Sequence, residues 1–167
     1  MNGIGYTAVC AGLLAALAFL GYRIRHGYRE LKNSCTGWEC YPLRLKYTGG
    51  ELAETARETA AYRKAVRTQL FRWLAVWPLL AAVLAAAGRN TAQSKALLPA
   101  MNTAAVLSCI FGFAETLLLM KRFEKTEPPR KPQSAAVPCA AGIAKWTCLI
   151  LWSLGLFVNL VWRGWLL

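Results

Sequence analysis

Residues 97–123 read LLPAMNTAAVLSCIFGFAETLLLMKRF. From Leu97 to Met120 this stretch carries a single charged side chain, Glu115, and then closes on Lys121 and Arg122. A helix crossing a bilayer needs about 20 mostly apolar residues. The run is therefore long enough to span, with one carboxylate near its basic end.

Three more runs have the same character: Ile4 to Tyr22, Leu70 to Ala87 and Ile143 to Trp162. None alternates apolar and polar residues as a barrel strand would. Backbone groups in hydrocarbon must be satisfied within the segment, so each run is read as a helix. The composition agrees. The chain of 167 residues is 56% hydrophobic yet carries a net charge of +12. Both hold together because the 20 Lys and Arg fall in blocks between the apolar runs.

The fold class expected is an all-α integral membrane protein with four transmembrane helices. Residues 1–22, 70–88, 97–120 and 143–167 form the helices. Residues 23–69, 89–96 and 121–142 connect them. The first run lacks Lys or Arg ahead of it, and its charges follow in RIRHGYRELK, the reverse of a secretory signal. We read it as a retained helix that continues past the bilayer through that basic stretch.

Charge sets the sidedness. Residues 23–69 hold ten Lys or Arg and residues 121–142 hold five, whereas the second connection has only Arg89 and Lys95. Basic loops stay in the cytosol. Both termini are thus placed outside and the two large loops inside, with a bacterial inner membrane as the expected location. Arg23, Arg25, Arg29, Lys121 and Arg122 are candidate contacts for anionic headgroups or a cytosolic partner. The same charge accounts for the basic composition without nucleic acid.

Within the large loop, NSCTGWECYPLRLKYTGG is rich in turn formers, and YPLRLKY alternates as a short strand or extended arm would. From Glu51 the segment ELAETARETAAYRKAVRTQ favours helix, with acids first and bases later. One long helix from Glu51 to about Ala87 is expected, so that helix two extends into the cytosol as a long amphipathic helix. The segment EKTEPPRKPQSAAVPCAAG, residues 124–142, reads as a flexible proline-rich linker.

Sites of covalent or metal chemistry find little support. Cys35 and Cys40 are spaced C-x4-C without a second pair, and His26 is the sole histidine. That is a poor match to zinc. No nucleophile motif, phosphate-binding glycine loop or acidic metal cluster is present. The expectation is a non-enzymatic protein with no cofactor.

The polar groups inside the apolar runs are Arg72, Asn102, Glu115 and Asn159. Ionisable groups in lipid face protein or water and have partners. Arg72, on the antiparallel neighbouring helix, is the first choice of partner for Glu115, and Lys145 at the start of helix four is the second. Counted from Met120, Glu115 lies about 7–8 Å inside, an inner-mouth carboxylate. Ala8, Gly12 and Ala16, and likewise Ala81 and Ala85, are small residues at four-residue spacing that let helices approach closely. Small size, close-packing stripes and a projecting helix favour an oligomeric channel- or pore-type protein controlled by its basic loop. The alternative is a structural accessory subunit or anchor of a larger transporter, enzyme or secretion complex. The partners expected are a bilayer with anionic headgroups and either further copies or a larger membrane complex.

Overall fold

The computed structural model describes residues 3–35, 38–39, 41–91, 97–124 and 134–165. Among them every regular element is helical. Five α-helices follow one another: α1 (Gly3–Ser34), α2 (Gly49–Glu58), α3 (Arg63–Thr91), α4 (Leu97–Glu124) and α5 (Ala136–Trp165). Short 3-10 turns occupy Tyr41–Leu43 and Ala60–Tyr62. Four segments are long and apolar enough to cross a membrane: Ala8–Ser34, Ala60–Arg89, Leu97–Phe123 and Ala136–Val161.

Helix α4 is central and packs along both α3 and α5, while α1 packs chiefly on α3. Buried side chains form three groups along the bundle. At the basic end Trp38, Tyr41, Tyr47, Leu70, Leu119 and Phe123 pack together. Ile24, Trp73, Val76 and Trp77 follow, joining α1 to α3. Met101, Ala105 and Trp152 fill the opposite end. The first part of α1 contributes least: no residue from Ala8 to Arg23 is buried, although Leu17 and Leu20 pack half-buried against the Trp73 group.

The long helix expected from Glu51 is broken. α2 ends at Glu58, and the chain turns through Ala60–Tyr62 before α3 begins. No Gly or Pro marks the break. Buried threonines supply it instead. Thr59 Oγ1 donates to the Thr55 carbonyl at 2.6 Å, and Thr55 Oγ1 shares a 2.6 Å hydrogen bond with the Tyr41 hydroxyl. Tertiary anchoring of this face overrides the local helix propensity. The start also differs, because Gly49-Gly50 is the first turn of α2 and not a separate turn. Thr48 and Glu51 form a capping box, with Glu51 N–H donating to Thr48 Oγ1 at 3.2 Å and Thr48 N–H to Glu51 Oε2 at 2.7 Å.

The arm YPLRLKY is no strand. Tyr41–Leu43 is a 3-10 turn, and Tyr41, Pro42 and Tyr47 are buried. The proline-rich linker is shorter than expected. α4 continues to Glu124, and α5 starts at Ala136, seven residues before the apolar run at Ile143. Ser134 Oγ accepts from the Ala136 N–H at 3.2 Å, and Pro138 stands in the first turn, where a missing N–H costs nothing.

Candidate functional site

The earlier start of α5 determines where Lys145 lies. Lys145 is nine residues into α5 and Glu115 is nine residues before the end of α4. In antiparallel neighbours both therefore stand about 13–14 Å from the basic end. There Lys145 Nζ approaches Glu115 Oε2 at 2.5 Å, and both side chains are 0% exposed.

The surrounding loop completes the site. Lys145 Nζ also donates to the Pro42 carbonyl at 2.6 Å. The Tyr47 hydroxyl donates to the other carboxylate oxygen, Glu115 Oε1, at 3.2 Å. Each carboxylate oxygen thus has a donor from a different element. The ammonium also stands 4.7 Å from the Trp77 ring centre and 5.5 Å from that of Trp146, within cation–π range. Trp77 is itself held by a 3.0 Å bond from Nε1 to Thr116 Oγ1 and by stacking on Trp73.

Two glycines make the close approach possible. A Cβ on Gly142 would fall 2.6 Å from Glu115 Oε1, and one on Gly112 would fall 2.5 Å from the Trp77 ring. Above the pair, Tyr41 meets Tyr47 edge-on at 5.4 Å between ring centres, and Trp38 meets Phe123 at 5.8 Å. Trp38, Tyr41, Pro42 and Tyr47 thus lie across the basic end of α3, α4 and α5 as an aromatic lid. Burial raises the Tyr47 phenol well above its ordinary value, and the neighbouring Glu115 charge raises it further. Burial likewise raises Tyr41, partly offset by its bond to Thr55. Both phenols are neutral at physiological pH, and Tyr47 donates to Glu115.

Arg72, the expected first partner of Glu115, points elsewhere. Its Nη1 donates to the Arg23 carbonyl at 3.0 Å and to Gln69 Oε1 at 3.1 Å. Gln69 in turn donates to the Ile24 carbonyl. These bonds tie α3 to α1 where Gly27 leaves room for them, since a Cβ there would fall 2.6 Å from Gln69 Oε1. Of the basic residues singled out as headgroup or partner contacts, Arg23, Arg25, Arg29 and Lys121 are exposed. Arg122 is half-buried and donates to the Ser134 carbonyl, joining α4 to the start of α5.

Of the small-residue stripes, Ala8 and Gly12 are exposed and Ala16 is half-buried, as are Ala81 and Ala85. A Cβ on Gly12 would meet nothing within 4 Å. At the opposite end Asn159 Nδ2 reaches Met101 Sδ at 3.4 Å. Asn102 Oδ1 and Trp152 Nε1 are buried there without a hydrogen-bond partner among the described residues, both near Gly88. Cys35 is buried, and Cys40 lies outside the described residues. No group of metal-ligating side chains occurs among the described residues.

Tyr47, Pro42, Trp77, Thr116, Gly112 and Gly142 were not anticipated as parts of this site. Their one signal was aromatic density. Trp38, Tyr41 and Tyr47 fall within ten residues of a loop otherwise built for solvent, and such side chains bring large apolar area that needs burial.

Chemically, the arrangement is a clamp. Its charges are paired, hydrogen-bonded and enclosed, and they join α4, α5 and the loop. Compared with protein-family models, with curated proteins and with solved structures, the chain has no match.

Proposed function

We propose that this is a non-enzymatic assembly subunit or anchor embedded in a membrane. Its α3–α4–α5 bundle is closed by the Glu115–Lys145 clamp, and it offers α1 to another protein within the bilayer. Both basic loops face the cytosol of a bacterial inner membrane, with the termini outside.

The observation that carries this reading is the contrast between α1 and the other long helices. No residue from 8 to 23 is buried, and Ala8 and Gly12 are exposed on a small-residue stripe that ends at half-buried Ala16. α4, by comparison, buries Met101, Ala105, Ser108, Glu115, Thr116 and Leu119 along its length. Small-xxx-small stripes support close helix contact in lipid. A pore controlled by the basic loop is the competing assignment. In such a protein a charge near the inner mouth would face the permeation path, whereas Glu115 and Lys145 are enclosed by Tyr47, Pro42 and Trp77.

Mass in detergent and in nanodiscs tests the proposal. A defined complex with itself or a second membrane protein is expected. A monomer under all conditions and in its native membrane would remove it. Purified protein in liposomes should pass no ions or small solutes. Reproducible flux through the purified wild-type protein would instead establish the pore.

A further inference from the structure

A groove of about 490 Å³ runs along the line where α1 meets α3. Leu17 and Ile24 form one wall, Trp73, Val76 and Leu80 the other, and Leu43 closes the end near the loop. The lining is carbon almost throughout. From Leu17 to Arg25 is eight helical residues, about 12 Å. That lies within the hydrocarbon depth of one leaflet, half of a core of about 30 Å.

The groove is open along its length. Gly21 lines it midway, and a Cβ there would meet nothing within 4 Å. Its basic end carries charge. Arg25 lines that end, is exposed, and has no ion-pair partner among the described residues. Lys32 Nζ stands nearby, 5.9 Å from the ring centre of Tyr28.

An empty apolar groove forfeits dispersion contacts along both walls, and an acyl chain restores them. A cation at headgroup depth then selects for negative charge. We infer that the groove holds one acyl chain of an anionic phospholipid, from the leaflet at the basic end, with its phosphate on Arg25. This rests on the membrane assignment above but not on the assembly role.

Trp73 lines the groove and provides the probe, because bromine on an acyl chain quenches tryptophan only at short range, its signal being read as the difference between the protein and its Trp73→Phe counterpart. The full-length protein is placed in nanodiscs of unlabelled lipid containing a small fraction of brominated phosphatidylglycerol or brominated phosphatidylcholine. One cation at the surface implies about fivefold preference for the anionic lipid. Brominated phosphatidylglycerol should therefore quench at a correspondingly lower fraction. Gly21→Phe, whose Cβ would meet nothing within 4 Å and whose ring would occupy the groove, should abolish the extra quenching. Arg25→Gln should bring the two lipids to parity. Equal quenching in wild type, or unchanged preference in Gly21→Phe, overturns the site. Emission that stays constant even in bilayers made wholly of brominated lipid removes the membrane assignment, and the site with it.

Discussion

Lys145 and Glu115 meet at 2.5 Å across the α4–α5 contact, with neither side chain reaching solvent. A buried ion pair roughly offsets its own desolvation, so its net contribution to stability is small. Removing one member is different, because it strands the other charge. Glu115→Gln should cost about 3–5 kcal/mol. Replacing both, as Glu115→Leu with Lys145→Met, strands no charge and leaves neutral groups such as the Pro42 carbonyl and the Tyr47 hydroxyl short of a partner. The double variant should therefore cost less in detergent melts than the sum of Glu115→Leu and Lys145→Met, each of which strands a charge. A double variant as unstable as the sum of the singles would show that the two residues do not act as a pair.

The glycines should separate by what their neighbours can yield. At Gly112 the obstacle is the Trp77 ring, fixed by Trp73 and Thr116. Gly112→Ala should cost about 1–3 kcal/mol, as overpacking does. At Gly155 the obstacle is Met101 Cγ at 2.9 Å, on a flexible side chain that can shift. Gly155→Ala should cost less. At Gly21 nothing lies within 4 Å. Gly21→Ala should be neutral or stabilising, up to about 1 kcal/mol from helix propensity. Thermal melts would give the order, and a Gly155→Ala loss equal to that of Gly112→Ala would contradict it.

Alkaline pH should open the lid. Tyr47 is raised in the folded state by burial and by Glu115, and Tyr41 by burial. The folded state therefore holds these phenols neutral when the unfolded chain would ionise them. That stabilisation is complete below about pH 10, the value of a free tyrosine, and falls as pH rises beyond it. Tyr47→Phe loses a hydrogen bond to Glu115 and should be less stable at pH 8. The gap between wild type and Tyr47→Phe should narrow above pH 10. A gap independent of pH, or early phenolate absorbance from an intact fold, would exclude this coupling.

Much of the architecture was legible from the apolar runs, because the length of an apolar helix is set by the bilayer it must cross. What the runs could not convey was depth. The prolines of residues 124–142 suggested a linker up to Ile143, which left Lys145 at a helix start. In fact Ser134 and Pro138 open α5 seven residues earlier, placing Lys145 level with Glu115. Arg72 was favoured by adjacency alone, but its guanidinium reaches the α1 carbonyl of Arg23 instead. The break between α2 and α3 was equally hidden. It depends on Tyr41 meeting Thr55 across fourteen residues, a tertiary contact with no local trace.

Sidedness can be read with single cysteines at exposed positions of the two ends. Ser34 closes α1 at the basic end, and Arg89 lies in the last turn of α3 at the other. In a background without native cysteines, Arg89→Cys should react with an impermeant thiol reagent added outside intact cells. Ser34→Cys should react only after permeabilisation. The reverse pattern would invert the orientation, and labelling of both from outside would remove the span between them.

Bulk on the open stripe of α1 tests the assembly role. Gly12 is exposed and meets nothing in its own chain, so Gly12→Leu should leave the thermal melt of the isolated protein unchanged or slightly raised. In a close helix pair the added side chain would hold the backbones apart, and small-residue contacts do not tolerate that. The assembled species should therefore dissociate at higher protein concentration than wild type, measured by native mass or by energy transfer between labelled copies in nanodiscs. Gly12→Ala, which keeps the residue small, should retain most of the association. If Gly12→Leu assembles as well as wild type, the contact face lies elsewhere on α1 or on another helix. If it unfolds, Gly12 is packed within the chain and the stripe is not open.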